Sequence, residues 1–220
     1  MNITENIYLL EASSFSNIFL IKSANSILID TGMPGKEKKI LKELERLNVP
    51  PKTISHILLT HHDVDHVGNV KRLQEATGAT VWIGIEDTPY LMGKKKRPGI
   101  KHIIQSVMKV REPSSYRNFE NSPVSLGIQA IPTPGHTPGH YIFQYNSTIF
   151  TGDLFKYKNS KFVAMSERMN WDKNKLISSL SLLQTLSFEW ICPSHGIPVK
   201  NSDEFQYFIN KECGNVGKYE

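Results

Sequence analysis

Thr60-His61-His62-Asp63-Val64-Asp65-His66-Val67-Gly68-Asn69 follows directly on the apolar run Ile57-Leu58-Leu59. Between His61 and His66 stand three imidazoles and two carboxylates. Crowded into a small volume, such groups repel or compete for protons, and a divalent cation resolves that conflict. Imidazole and carboxylate are also the side chains that bind such ions. In an extended segment His61, Asp63 and Asp65 turn to one side while His62 and Val64 turn away, and His66 enters as a helix begins.

Upstream, Ile7–Leu10, Asn17–Ile21 and Ser26–Asp30 read as strands. The turn Thr31-Gly32-Met33-Pro34-Gly35 leads into a helix over Lys36–Leu47, with Ile40, Leu41, Leu44 and Leu47 at helical spacing and Pro50-Pro51 as its stop. Ile54–Thr60 is a buried strand that delivers the metal-binding stretch. Val67, Val70 and Leu73 continue as one helix to Thr77-Gly78, and Thr80–Gly84 is another strand. Between Ile85 and Ser122 the pattern weakens. Prolines at 89, 98 and 113, the basic run Lys94-Lys95-Lys96-Arg97 and a helix-like piece around Ile103–Val110 mark an insertion able to cover a site. The basic run reads first as a solvated loop.

Strands return at Val124–Leu126, Ile128–Ile131, Tyr141–Tyr145 and Thr148–Thr151. Trp171–Phe188 reads as a helix, Trp190–Pro193 as a last strand and Asp203–Lys211 as a helix capped by Ser202. Two blocks of strands, each followed by helices, suit two sheets with helices outside. Further polar groups stand at strand ends beside glycines: Asp30, His136 in Thr133-Pro134-Gly135-His136-Thr137-Pro138-Gly139-His140, Asp153 after Thr151-Gly152, and His195 in Ser194-His195-Gly196.

The remaining composition narrows the class. With 220 residues the expectation is a single domain spanning 1–220, with the insertion or lid at about 85–122. No stretch is long and apolar enough to span a membrane, and Met1–Asn6 lacks a signal-peptide pattern, so the expected location is cytoplasmic. Two cysteines, Cys192 and Cys213, do not make a disulfide framework, and Cys192 reads as a buried small hydrophobe. The net charge of +5 is mild support for an anionic partner. Aromatic–basic interleaving of the kind that reads nucleic acid is missing from the sequence.

In this order, Leu28-Ile29-Asp30-Thr31-Gly32, the His61–His66 motif, Gly135-His136-Thr137-Pro138-Gly139, Gly152-Asp153 and Ser194-His195-Gly196 resemble the metallo-β-lactamase-fold hydrolase superfamily along nearly the whole chain. The resemblance implies an α/β fold, an αββα sandwich of two mixed β-sheets flanked by helices. It also implies a binuclear site for two divalent metal ions, with zinc, manganese or iron as the possibilities. Carried over residue by residue, one ion takes His61, Asp63 and His136, the other takes Asp65, His66 and His195, and Asp153 bridges them together with a hydroxide. Asp30 reads as holding a ligand's N–H or the turn's amides rather than binding metal. His62, His140 and Tyr141 read as core or rim residues rather than ligands, with His62 as a shifted ligand in place of Asp63 the alternative.

Asp63 departs from the family's pattern, which has histidine there. Three carboxylates against two divalent ions leave a bare site of about +1, where a histidine would leave about +2. That favours harder ions, manganese or iron, over zinc relative to the usual pattern. The implied activity is hydrolysis of an ester, lactone or thioester, with Asp65 accepting or shuttling the proton. Lys156 and Tyr157 are weaker candidates for an oxyanion donor. The substrate is expected to be a small molecule, anionic if the 94–97 run meets it. The alternatives are phosphodiester or nucleic-acid hydrolysis, a non-hydrolytic di-iron redox site, and a binding protein without turnover. The sequence does not fix the oligomeric state.

Overall fold

The structure, a computed structural model, describes residues 1–12, 15–97, 101–102, 108, 110–121 and 127–214. The chain forms two compact units, Met1–Pro123 and Val124–Glu220. The expected strand over Val124–Leu126 and most of the helix-like piece over Ile103–Val110 lie outside the described residues. Among the described residues, no helix is long and apolar enough to cross a membrane.

The first unit is a seven-stranded mixed sheet. Its strands follow chain order: β1 (Asn2–Thr4), β2 (Ile7–Leu9), β3 (Phe19–Ile21), β4 (Ser26–Ile29), β5 (Ile54–Leu58), β6 (Thr80–Ile83) and β7 (Arg117–Asn118). The pairings up to β4 are antiparallel, and β4 to β7 run parallel. The helices α1 (Glu37–Arg46), α2 (Val64–Val67), α3 (Val70–Thr77) and α4 (Thr88–Leu91) fill the connections. Ile40 and Leu44 of α1 and Val70 and Leu73 of α3 join Leu20, Leu28, Ile57 and Val81 in one buried cluster. Helical spacing on the helices and buried runs on the parallel strands are what such a layer requires. The segment expected to be an insertion is partly regular, since β7 extends the sheet beside β6.

The continuous helix expected after the His61–His66 stretch is broken at Gly68-Asn69. Asn69 Nδ2 donates to the carbonyls of Thr31 at 2.6 Å and Met33 at 2.7 Å, tying the break to the turn after β4. α3 ends at Gly78, whose φ of +81° is the left-handed stop glycine accepts without strain.

The second unit holds a five-stranded mixed sheet in the order β14-β13-β10-β9-β8. Its strands are β8 (Ile128–Pro132), β9 (Tyr141–Tyr145), β10 (Thr148–Gly152), β13 (Trp190–Pro193) and β14 (Val199–Lys200). β10 and β13 are parallel and the other pairings antiparallel. β11 (Phe155–Lys158) and β12 (Lys161–Ala164) form a separate hairpin that the sequence reading missed. Its turn, Asn159-Ser160, has φ of 51° and 58°, the pair of positive values of a type I′ turn. Phe155 and Phe162 pack with Phe205 and Phe208 of helix α6 (Asp203–Gly214), at centroid distances of 5.1–5.9 Å. Helix α5 covers only Lys173–Leu182 of the expected Trp171–Phe188 span. Asp172 caps its start by accepting from Lys175 N at 3.0 Å, and a 3₁₀ turn over Leu183–Thr185 ends it. The fold class is the expected one, α/β with two mixed sheets and flanking helices.

Candidate metal centre

In the first unit the site is built on the C-terminal ends of parallel strands β4 and β5, where side chains of consecutive strands converge. Asp30, just after β4, has φ of 60° and is buried. Its carboxylate accepts from Thr60 N, from Thr60 Oγ1 and from His66 Nδ1, each at 2.8 Å. Because the Thr60 hydroxyl hydrogen points to Asp30, its oxygen accepts from His61 Nδ1 at 3.0 Å. One carboxylate thereby orients both rings: His61 and His66 carry a proton on Nδ1, which leaves Nε2 as the nitrogen available to a cation. The two rings lie 3.9 Å apart. His61 Nε2 faces Asp63 Oδ2 at 3.5 Å, and His66 Nε2 faces Asp65 Oδ2 at 3.5 Å.

The extended alternation runs only to Asp63 (φ −66°, ψ 150°), because α2 begins at Val64. Asp65 therefore reaches His66 from the first turn of a helix, not from an extended chain. Thr31 N and Oγ1 both donate to the His66 carbonyl, at 2.7 and 2.8 Å, and Ser16 Oγ donates to the Asp65 carbonyl. Asp65 retains 17% side-chain exposure, whereas His61 and His66 are fully buried.

His62 packs against Asp87 and Tyr90, with its Nε2 3.8 Å from Asp63 Oδ1. Its Nδ1 meets Asp87 Oδ2 at 2.8 Å, its ring stacks on Tyr90 at 4.4 Å, and Asp87 also accepts from its backbone N–H. Around Asp63 the structure adds what the sequence reading lacked. Lys101 Nζ lies 2.6 Å from Asp63 Oδ2, and Arg97 Nε lies 3.8 Å from Oδ1. Both cations are buried, at 6% and 3% exposure. Lys94, Lys95 and Lys96 are exposed as a solvated loop should be, but Arg97 is not. Arg97 also donates to the His62 carbonyl. Burial pulls its guanidinium below the usual value, and Asp63, Asp87 and Asp65 oppose that shift.

In the second unit, Asp153 follows β10 and presents one oxygen to each of two histidines. His136 Nε2 is 3.4 Å from Oδ2, and His195 Nε2 is 3.3 Å from Oδ1. His136 Nδ1 is held by Asn170 Oδ1 at 3.0 Å, which again leaves Nε2 facing the carboxylate. His140 bonds Thr133 Oγ1 through Nδ1 and accepts from the Asp153 backbone N–H through Nε2, so it positions the aspartate's main chain. Two glycines make this packing possible. A Cβ on Gly135 (φ +146°) would lie 2.3 Å from Leu176 Cα, and one on Gly196 (φ +113°) 2.0 Å from the Tyr157 carbonyl oxygen. Tyr157 donates its N–H to the His195 carbonyl at 2.9 Å, and its ring packs on Phe162 at 4.9 Å. Asn170 had no local sequence signal.

These donor sets suit divalent ions. Buried imidazoles are fixed through Nδ1 with Nε2 turned toward carboxylates, the arrangement metal-binding histidines adopt. The sequence matches the metallo-beta-lactamase superfamily over residues 13–195. The chain belongs to the metallo-β-lactamase superfamily. This superfamily member is a metal-dependent hydrolase. It is 29% identical over 206 residues to the uncharacterized protein YobT of Bacillus subtilis, covering 86% of each chain. It is 32% identical over 142 residues to a hydroxyacylglutathione hydrolase of Rhodospirillum rubrum, covering 62% of this chain and 47% of that one. Among solved structures it resembles TTHA1623 in a di-iron-bound form, with a TM-score of 0.68 and 26% identity over 89% of this chain and 92% of the other.

Proposed function

We propose that the chain hydrolyses an ester, lactone or thioester of a small molecule with two divalent ions. In this reading His61, Asp63, Asp65 and His66 of the first unit and His136, Asp153 and His195 of the second supply the ligands. The observation that carries it is the shared orientation of His61, His66 and His136, each bonded at Nδ1 by an oxygen of the same unit and facing a carboxylate with Nε2. Imidazoles fixed this way are ready to bind a cation through Nε2 without reorganising. Asp153 supports a bridging role, since its two oxygens face different histidines.

When bound, the ions would polarise the carbonyl and lower the pKa of water. The chain's own residues supply the rest. Asp30 keeps His61 and His66 in the binding tautomer. Asp65 is the more exposed carboxylate and is fixed through its backbone carbonyl by Ser16, which suits it to accept and pass on a proton. The thioester possibility draws on the hydroxyacylglutathione hydrolase relative, and zinc, manganese and iron are the candidate resident metals.

The test is a panel of aryl and alkyl esters, lactones, thioesters and phosphodiesters, assayed with chain loaded with zinc, manganese or iron. Turnover of at least one carbonyl substrate, abolished by chelation, supports the proposal. Turnover confined to phosphodiesters, or none with metal bound, contradicts it.

A further inference from the structure

We propose that Lys101 and Arg97 are internal counter-cations of Asp63, and that they set the affinity of the metal position Asp63 serves. The inference rests on Asp63 being a ligand, as proposed above. A histidine in its place would be neutral and need no such partners. Asp63 adds a negative charge at 6% exposure, and the fold answers with two buried cations.

The contacts of each oxygen make this more than charge balance. Oδ2 faces His61 Nε2 at 3.5 Å and Lys101 Nζ at 2.6 Å. Oδ1 faces Arg97 Nε and His62 Nε2, both at 3.8 Å. An ion held jointly by His61 and Asp63 uses the oxygen that faces His61, and that oxygen is the one Lys101 holds. Metal and lysine therefore compete for one atom. Buried charges are poorly screened, so repulsion between a divalent ion and the two cations is felt strongly. His66 Nε2 faces Asp65 Oδ2 at 3.5 Å, whereas the oxygen that Lys101 holds at 2.6 Å belongs to Asp63. Competition with Lys101 at Asp63 Oδ2 makes the two metal affinities unequal, the weaker at the position of Asp63. It also reverses the electrostatic expectation from sequence: the extra carboxylate does not leave the site richer in negative charge, because the cations offset it.

The experiment titrates metal-free full chain with Zn²⁺ against a chromophoric chelator, for wild type, Lys101→Met and Lys101→Gln, with circular-dichroism melts as a check on folding. Glutamine keeps a donor toward Asp63 without the charge, so it serves if the methionine variant does not fold. The expected result is two unequal Zn²⁺ affinities in wild type. The weaker step tightens by about tenfold or more in either variant, while the stronger stays within about threefold. A weaker step that is unchanged or loosened in a folded variant overturns the inference and leaves the hydrolase reading standing. A wild type that binds no Zn²⁺, Mn²⁺ or Fe²⁺ overturns both.

Discussion

Asp30→Asn changes one atom at the group that orders the first unit's histidines. Thr60 N–H donates to Asp30 Oδ1, so an asparagine keeps its carbonyl oxygen there and places its NH₂ where Oδ2 was. That NH₂ faces Thr60 Oγ1 and His66 Nδ1, both 2.8 Å from the present oxygen. As a donor it bonds His66 Nδ1 only if that nitrogen gives up its proton. It also turns the Thr60 hydroxyl hydrogen toward His61 Nδ1. Both imidazoles then carry the proton on Nε2, which removes the lone pairs proposed to bind metal. Loss of such a supporting partner weakens metal binding by about 10–100-fold, or roughly 1.4–2.7 kcal/mol. Metal-free stability falls by about 1.5–3 kcal/mol as charge-assisted hydrogen bonds become neutral ones. The backbone adds little, because asparagine tolerates the φ of 60° at least as well as aspartate. Zn²⁺ competition titration measures the first quantity and urea denaturation of metal-free protein the second. Metal affinity within about twofold of wild type, in a folded Asp30→Asn, would refute the tautomer argument.

Other outcomes follow from single contacts. Gly196→Ala places a Cβ 2.0 Å from the Tyr157 carbonyl oxygen at a φ of +113°, and a loss of about 2–4 kcal/mol in denaturant unfolding is expected; an unchanged midpoint contradicts it. His56 is half-buried beside Trp82, and burial and then Arg117 lower its pKa below 6.5. The unfolded chain therefore takes up that proton more readily, and the stabilisation is complete above about pH 6.5 and lost as pH falls through the folded value. His56→Gln should flatten the pH dependence of Tm on the acid side of about 6.5, and an identical slope in the variant counts against it. Burial pushes the Cys192 thiol far above its usual range, so Ellman's reagent should modify Cys213 alone in native protein and both thiols after unfolding. Two fast thiols in native protein would contradict the packing.

Local patterns were legible in the sequence and long-range pairings were not. The apolar runs at Ile27–Ile29 and Ile57–Leu59 and the helical spacing of Ile40 and Leu44 located β4, β5 and α1, because burial on a sheet or helix face imposes a period. Asp30 was readable as support for a ligand because it closes a strand beside a glycine turn. The helix after His66 was read as continuous because nothing local announces that Asn69 bonds back to Thr31 and Met33. The hairpin at Phe155–Ala164 carried a usable signal, Asn-Ser between aromatic residues, that went unread. Lys101 and Arg97 fall in a stretch without periodicity, and their pairing with Asp63 depends on tertiary structure. Charge runs read as solvated by default, and Arg97 is the exception that changes the electrostatics of the site.

The central claim is that this chain holds two divalent ions through ligands that include Asp153. Metal per chain, measured by inductively coupled plasma mass spectrometry after metal loading and desalting, tests it most directly. The account predicts about two ions in wild type and one or fewer in Asp153→Ala, with the variant still folded. No bound metal in wild type, or the same content in Asp153→Ala as in wild type, would contradict it.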